Sequence, residues 1–565
     1  MNFGYKIVLV FATISVIVSC KNNGNNTSKK SFEQGGGTFV MVGESEIKTI
    51  FPNALTNQTE GIVASQIHEG LLRLNPASLE VVPGLCEKWE TSPDGKIITF
   101  TLKKGIRFQD DKCYPNGKGP EVTAKDVKFS FELLCTKTEQ NNRFESTLKD
   151  RVLGANDFFE GKSKSISGFK IIDNHTFSVQ LVNPSLSFLK ILTNPSVVVV
   201  NEIAYKTYGN QLKNGAGPYI YDATSSSDRI VLVKNPNYYA TDSLGNSLPY
   251  LDTVIVRILP SIEEGLSLYE NEKVDLINTI PSLRVKDVVE KNVSQFEGHP
   301  SKSVLQREPE MISQYYLFNT KQTPYNNVKV RQAINYAINK EKIVENILKG
   351  QAIGPAIYGV TPNTFKKYDI KKIDGYEYDV EKAKKLLMEA GYPAGIGFPE
   401  MKLLVNSGNS RNSSVAAEIQ KQLKENLNIN VSFESLPNNE KYELQMHGKS
   451  DVYRDGWVAD YPSPETFLSL FVGDLVPEDN NAKSYPNSSR YQNKEFDSLF
   501  KKGRDASNID SSYYYFMKAE QLLINDAPLI PLWYEASYKL LSGKVKNLQL
   551  NSMRYYDLRA VYKEK

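Results

Sequence analysis

The spacing of apolar residues changes along this chain, from an alternating period in the first half to a helical one in the second. Ile98, Phe100 and Leu102 alternate with Thr99 and Thr101, between the turn signals Pro93-Asp94-Gly95 and Lys104-Gly105, which predicts a half-buried hairpin strand. Residues 123–134 predict a helix. Val127, Phe131 and Leu134 recur at helical spacing, and Thr123 with Asp126 three residues on forms a capping box. The β-branched run 197–200 predicts a buried strand, and residues 229–233 and 253–258 predict two more. From Val330 through Ile334, Ala337 and Ile338 the apolar face then recurs every three or four residues, ending near Gly350. Asp379 is placed to cap a helix whose Val380, Ala383, Leu387 and Ala390 share a face, stopped by Gly391 and Pro393. A helix over 415–423 leads into Ile429, Val431 and Phe433 alternating with polar residues. Helices interleaved with strands are the grammar of an α/β protein, and 565 residues allow about three or four domains.

The N-terminus follows another pattern. Residues 7–18 are largely apolar behind Lys6, and this span of 12 residues is well short of the ~20 that cross a bilayer as a helix. Residues 1–19 therefore read as a removable signal. Ile17-Val18-Ser19-Cys20 resembles the lipobox of bacterial lipoproteins, which implies that Cys20 is lipidated and begins the mature chain; a plain signal peptide or a buried strand is the alternative. Residues 20–37 carry almost no apolar side chain and are expected to form a flexible tether.

Charge and candidate chemistry narrow the function mainly by exclusion. With 68 basic against 65 acidic residues, interspersed, the net charge of +3 leaves no electrostatic footprint for nucleic acid. The 32 Tyr and 25 Phe suit core edges or a ligand cleft that stays partly wet. Beyond Cys20, the cysteines Cys86, Cys113 and Cys135 allow one internal disulfide at most, for which Cys113 and Cys135 are the nearest pair in sequence. No C-x-x-C occurs and His68, His175, His299 and His447 are isolated, so neither a metal nor a cofactor is expected. There is no H-E-x-x-H, no G-x-S-x-G and no complete phosphate loop, since Gly161-Lys162-Ser163 lacks its upstream glycine. Gly35-Gly36-Gly37 sits in the tether and opens no dinucleotide fingerprint. The chain is therefore read as a non-enzyme, with a carboxylate-pair hydrolase left as the alternative of a different class.

A series of short segments carries a resemblance. Ile67-His68-Glu69-Gly70-Leu71-Leu72, Pro83-Gly84-Leu85, Glu87-Lys88-Trp89 and Thr123-Ala124-Lys125-Asp126-Val127 open it. Gly215-Ala216-Gly217-Pro218-Tyr219, Lys234-Asn235-Pro236-Asn237-Tyr238-Tyr239 and Leu248-Pro249-Tyr250-Leu251-Asp252 continue it. Val330-Arg331-Gln332-Ala333-Ile334-Asn335-Tyr336-Ala337-Ile338, Glu389-Ala390-Gly391-Tyr392-Pro393, Gly456-Trp457-Val458-Ala459-Asp460-Tyr461 and Ala527-Pro528-Leu529-Ile530-Pro531-Leu532 complete it. In this order, over nearly the whole mature chain, they resemble the extracytoplasmic solute-binding proteins of ABC importers, the oligopeptide, dipeptide and nickel receptors. Cys86 departs from the family's usual alanine, and the loop 110–119 is longer than most.

The resemblance implies a two-lobed α/β periplasmic-binding-protein fold with a ligand cleft between lobes. Lobe I would comprise 38–74, 193–282 and 521–565, an inserted domain 75–192, and lobe II 283–520, with more than one strand crossing between the lobes as a hinge. It implies capture of a peptide and delivery to a permease in the cytoplasmic membrane. The protein would act as a monomer anchored by lipid on the outer face of that membrane, periplasmic where there are two membranes. Nickel chelates, opines or oligosaccharides are the alternative ligands. Asp460 would pair with the peptide ammonium, although an aspartate in such a place is also commonly a solvated loop residue. Gly456, Trp457 and Val458 would offer backbone groups, Trp457 being otherwise a core residue, and Glu60, Gly61, Ile62 and Val63 would supply an opposing extended edge. Arg454 would face the peptide carboxylate, directly or through water.

Overall fold

Two long antiparallel strands, Ser303–Phe318 and Leu529–Ser542, run through the middle of the structure. The computed structural model describes residues 36–141, 143–295 and 302–564. Cys20, the signal 1–19 and nearly all of the tether lie outside the described residues. The long pair is the centre of an eleven-stranded sheet. Beyond Leu529–Ser542 come Leu276–Ile277, Thr38–Gly43, Thr253–Ile258, Arg229–Lys234 and Tyr219–Tyr221; beyond Ser303–Phe318 come Val452–Val458, Met401–Asn406 and Val431–Leu436. The two wings attach at opposite ends of the pair: Leu276 and Ile277 bond to Leu541 and Leu540, whereas Val452–Val458 bonds to residues 312–318.

Between those attachments the ladder slips twice, between Pro309 and Ser313 and between Gln314 and Tyr315. Pro309, and Pro531 opposite Tyr315, lack the N–H that a regular ladder requires, and bulges at such positions bend a strand. Leu529–Ser542 is buried on both faces, which explains its near-continuous apolar sequence. The exceptions are satisfied by partners. Glu535 accepts from Arg411 Nη1 (2.7 Å), Trp533 Nε1 (2.8 Å) and Gln314 Nε2 (3.0 Å), and Lys539 Nζ lies 3.1 Å from Glu310 Oε1.

A separate four-stranded antiparallel sheet orders Cys86–Thr91, Ile97–Leu102, Thr176–Gln180 and Phe169–Asp173, and the helix Ala124–Leu134 packs on it. The predicted hairpin strand is its Ile97–Leu102, whose Phe100 is buried in one cluster with Phe131 and Phe177. Thr123 caps the helix with Asp126 as its pattern indicates. The helix Val380–Glu389 starts on Asp379, and strands Arg229–Lys234 and Thr253–Ile258 also appear where expected.

Three expectations change. Residues 197–200 are buried, yet only Val199 bridges, to Glu69, because the backbone of Val200 is satisfied by the Ser130 hydroxyl: Val200 N donates to Ser130 Oγ (2.8 Å) and Ser130 Oγ to Val200 O (3.2 Å). The helix from Val328 ends at Ala337 rather than near Gly350, since Asn339 breaks it and caps the next turn. Cys113 and Cys135 are not bridged; with Cys86 they are free thiols, Cys135 ending its helix inside the core. Among the described residues no helix is long and apolar enough to cross a membrane.

His68, at the end of the helix Gln58–Ile67, is 1% exposed and neither ring nitrogen has a hydrogen-bond partner. Burial pushes its pKa down to about 4, so folding requires the neutral ring. The unfolded chain, with an ordinary histidine near 6.5, then binds the extra proton, and stability falls as pH drops from about 6.5 to about 4, by about 3 kcal/mol in all. Urea denaturation of wild type and His68→Gln across this range should show a steeper acid loss in the wild type. Parallel curves would mean that His68 does not titrate on unfolding.

Candidate functional site

The strand Val452–Val458 pairs with residues 312–318 along its whole length, but with Met401–Asn406 only at Val452 and Tyr453. Its second edge from Arg454 onward is therefore without a strand partner among the described residues. Ala459 N donates to Met311 O on the paired side, so by alternation Arg454, Gly456 and Val458 turn their backbone groups toward the open edge. Two of these groups are taken by side chains: Lys441 Nζ donates to Arg454 O (2.6 Å) and Gly456 N to Asp455 Oδ1 (2.8 Å). The sheet face at Gly456 is filled by its cross-strand partner, because a Cβ there would lie 2.5 Å from Gln314 Oε1.

The edge leads into Asp460. Its carboxylate accepts from Arg143 Nη1 (3.3 Å) and Thr466 Oγ1 (3.2 Å), its N donates to Thr466 Oγ1 (3.1 Å), and its carbonyl accepts from Asn194 Nδ2 (3.1 Å). Trp457, half-buried, donates Nε1 to the same Thr466 hydroxyl (3.2 Å), which ties strand and loop together. Burial pushes the Asp460 carboxyl above its usual range, and the Arg143 guanidinium pulls it back. Asp460 is not a solvated loop residue, whereas Trp457 packs half-buried against a core cluster, as the alternative for it anticipated. Arg454 donates Nη2 to Gln314 Oε1, and among the described residues no carboxylate lies within ion-pair distance of it.

Residues 60–63 are placed differently from the expectation. They lie in the helix Gln58–Ile67, not in an extended edge, because Asn57 and Glu60 close a capping box that starts the helix there. The Glu60 carboxylate is fully buried and spent on its own loop: it accepts from Lys48 N (2.9 Å), Thr49 N (3.3 Å), Thr56 N (2.7 Å) and Asn57 N (3.3 Å). Gly61 and Ile62 are half-buried helical residues and Val63 is core.

Several neighbours had no signal in the sequence. Arg143, Arg151, Ser187, Lys190 and Asn194 come from one stretch and grip the loop after Asp460: Arg151 Nη2 and Ser187 Oγ both bond Glu465, and Lys190 Nζ donates to Pro462 O (2.9 Å). On the other side of Trp457, a small cavity of about 20 Å³ is bounded by Tyr315, Tyr442, Phe471, Tyr485 and Asp455. Asp455 accepts from Tyr442 OH (3.3 Å) and Gln445 Nε2. No group of side chains among the described residues is arranged to hold a metal ion.

The profile of the bacterial extracellular solute-binding proteins, family 5 Middle, matches residues 80–476. The chain belongs to that family. It is 27% identical over 514 residues to the periplasmic oligopeptide-binding protein OppA of Salmonella typhimurium, covering 89% of this chain and 88% of OppA. The periplasmic binding protein DppA of Helicobacter pylori, solved in complex with the peptide STSA, is 25% identical and superimposes with a TM-score of 0.80 over 94% of this chain and 99% of DppA. The resemblance read from the ordered segments is thus borne out, and the fold is the two-lobed α/β fold of periplasmic binding proteins. The Escherichia coli murein tripeptide binding protein MppA, 22% identical and covered over 99% of its chain against 94% of this one, gives a TM-score of 0.81. The unliganded open form of MppA, also 22% identical, gives a TM-score of 0.64 over 94% of this chain and 98% of its own.

Proposed function

We propose that this family 5 protein captures peptides between its lobes and presents them to a membrane importer. The observation that carries the reading is the open edge Gly456–Val458 running into the buried carboxylate of Asp460. An extended peptide brings unpaired backbone donors and acceptors, which such an edge satisfies whatever the side chains, and one ammonium, which the carboxylate neutralises. Relatives named for oligopeptide and dipeptide binding support the same ligand class. Arg454, without an acidic partner, would take the peptide carboxylate directly or through water. In this reading lobe I comprises 38–74, 193–282 and 521–565, the inserted domain 75–192 and lobe II 283–520. The long strands, bent at Pro309 and Pro531, serve as the hinge. Cys20 would carry the lipid that holds the protein on the outer face of the cytoplasmic membrane, as a monomer.

Mass spectrometry of protein purified without unfolding should find co-purified peptides. After their removal, a bound peptide at about 100 times its Kd should raise the unfolding free energy by about 2.7 kcal/mol. Solution scattering should show compaction on binding. Failure of di- to pentapeptides to shift the melting temperature, with no peptide in the purified protein, would overturn the ligand assignment.

A further inference from the structure

Arg143 occupies the place that the peptide-binding reading reserves for the ligand's ammonium. Its Nη1 lies 3.3 Å from Asp460 Oδ1, with the two side chains only 12% and 16% exposed. The residue is fixed by its backbone, since Arg143 N donates to Asn141 Oδ1 (3.1 Å) and its carbonyl accepts from Thr147 Oγ1 (2.6 Å) and Thr147 N (3.1 Å). The backbone of Arg143 is thus fixed beside the site, and its guanidinium reaches Asp460 from there. It is also under-satisfied, because Arg143 Nε is buried without any hydrogen-bond partner.

The surroundings do not supply a second anion for it. Asp455 is already engaged by Gln445, Tyr442 and the backbone of Gly456. Burial pushes the Tyr485 hydroxyl, within electrostatic reach of Arg143, Asp460 and Asp455, above its usual range, so it supplies no anion. Around the open edge stand three cations, Arg143, Arg454 and Lys441, against two carboxylates, Asp455 and Asp460. A peptide adds one charge of each sign at its ends and leaves that surplus unchanged. Among the described residues Asp460 is the carboxylate paired with Arg143, so an ammonium docking there competes with the guanidinium for it, and an unpaired charge in a desolvated site is strongly unfavourable.

We propose that Arg143 is a specificity residue that selects peptides whose first residue carries a carboxylate beside its free α-ammonium. Such a ligand replaces the internal ion pair by two: its ammonium meets Asp460 and its carboxylate meets Arg143, bidentate through the unpaired Nε and an Nη. A neutral first residue satisfies one half of the pair and strands the other. The inference rests on the peptide-binding reading, and its test separates the two.

Calorimetry of the full-length protein, freed of endogenous ligand, with Glu-Ala-Ala and its neutral isostere Gln-Ala-Ala gives the decisive comparison. Glu-Ala-Ala should bind the wild type at least tenfold more tightly. In Arg143→Gln the preference should vanish while Gln-Ala-Ala binds as well as or better than before, and Arg143→Lys should retain part of the preference. Equal affinities in the wild type, or a preference that survives in Arg143→Gln, would overturn the role of Arg143 and leave peptide binding standing. Absence of binding by either peptide would overturn both. If Arg143→Gln does not fold, the wild-type comparison with Arg143→Lys still decides.

Discussion

Asp460→Ala is expected to weaken the binding of free-amine peptides by about thirtyfold or more. Removing one partner of a buried, hydrogen-bonded charge pair typically costs about 2–5 kcal/mol, much of it from stranding the other charge, and each 1.4 kcal/mol is about tenfold in affinity. The geometry around Asp460 places it in that class: its carboxylate is mostly buried, accepts from Thr466 and Arg143, and lies beyond the end of the open edge. A four-way comparison by calorimetry isolates the ammonium contact, using free and N-acetylated peptide against wild type and Asp460→Ala. Acetylation should cost the wild type heavily and the variant little. Equal costs in the two proteins would show that Asp460 is not the ammonium's partner, whatever its effect on folding.

The fold was legible wherever a local rule decided the outcome. Alternation placed Ile97–Leu102, and the capping pairs Thr123 with Asp126 and Asp379 at Val380 placed two helix starts, because each depends on residues only a few positions apart. Where satisfaction came from a distant partner, the local pattern misled. Residues 197–200 have the composition of a strand, but the Ser130 hydroxyl, 70 positions away, takes the backbone of Val200. The resemblance implied an extended edge at Glu60, Gly61, Ile62 and Val63, yet the Asn57–Glu60 capping box turns that segment into helix.

The candidate site divides the same way. Asp460, Trp457 and Gly456 were found because they stand in one short motif, and the structure does bring them to a single edge and loop. Their partners were not found, because Arg143 and Asn194 lie 317 and 266 positions from Asp460 and no pattern couples them to it. Long-range pairing of this kind also explains why so many charges stay buried. The buried Arg554, Glu310 and Lys539 form one chain of ion pairs, which the more exposed Glu44 extends at Arg554, and each is commonplace in isolation.

Glu465→Ala is expected to lower the unfolding free energy by about 3–5 kcal/mol, the cost typical of breaking a buried ion pair by removing one member. Glu465 is fully buried, bonded to both Arg151 and Ser187, and Arg151 already has one nitrogen, Nη1, with no partner. Without Glu465 the guanidinium would be left uncompensated in the protein interior. Replacing both members by apolar residues of similar size, Arg151→Met with Glu465→Leu, should cost less than Glu465→Ala alone, since no charge is then stranded. The pair joins the stretch that carries Arg143 and Asn194 to the loop that follows Asp460, so the loss has two possible readouts. If the pair persists in every conformation of the folded protein, urea denaturation of Glu465→Ala will shift by the full amount. If opening of the lobes hydrates the pair, denaturation will shift less, and solution scattering of the ligand-free variant will show a larger radius of gyration than wild type. A variant with neither change would show that Glu465 and Arg151 contribute nothing to holding these segments together.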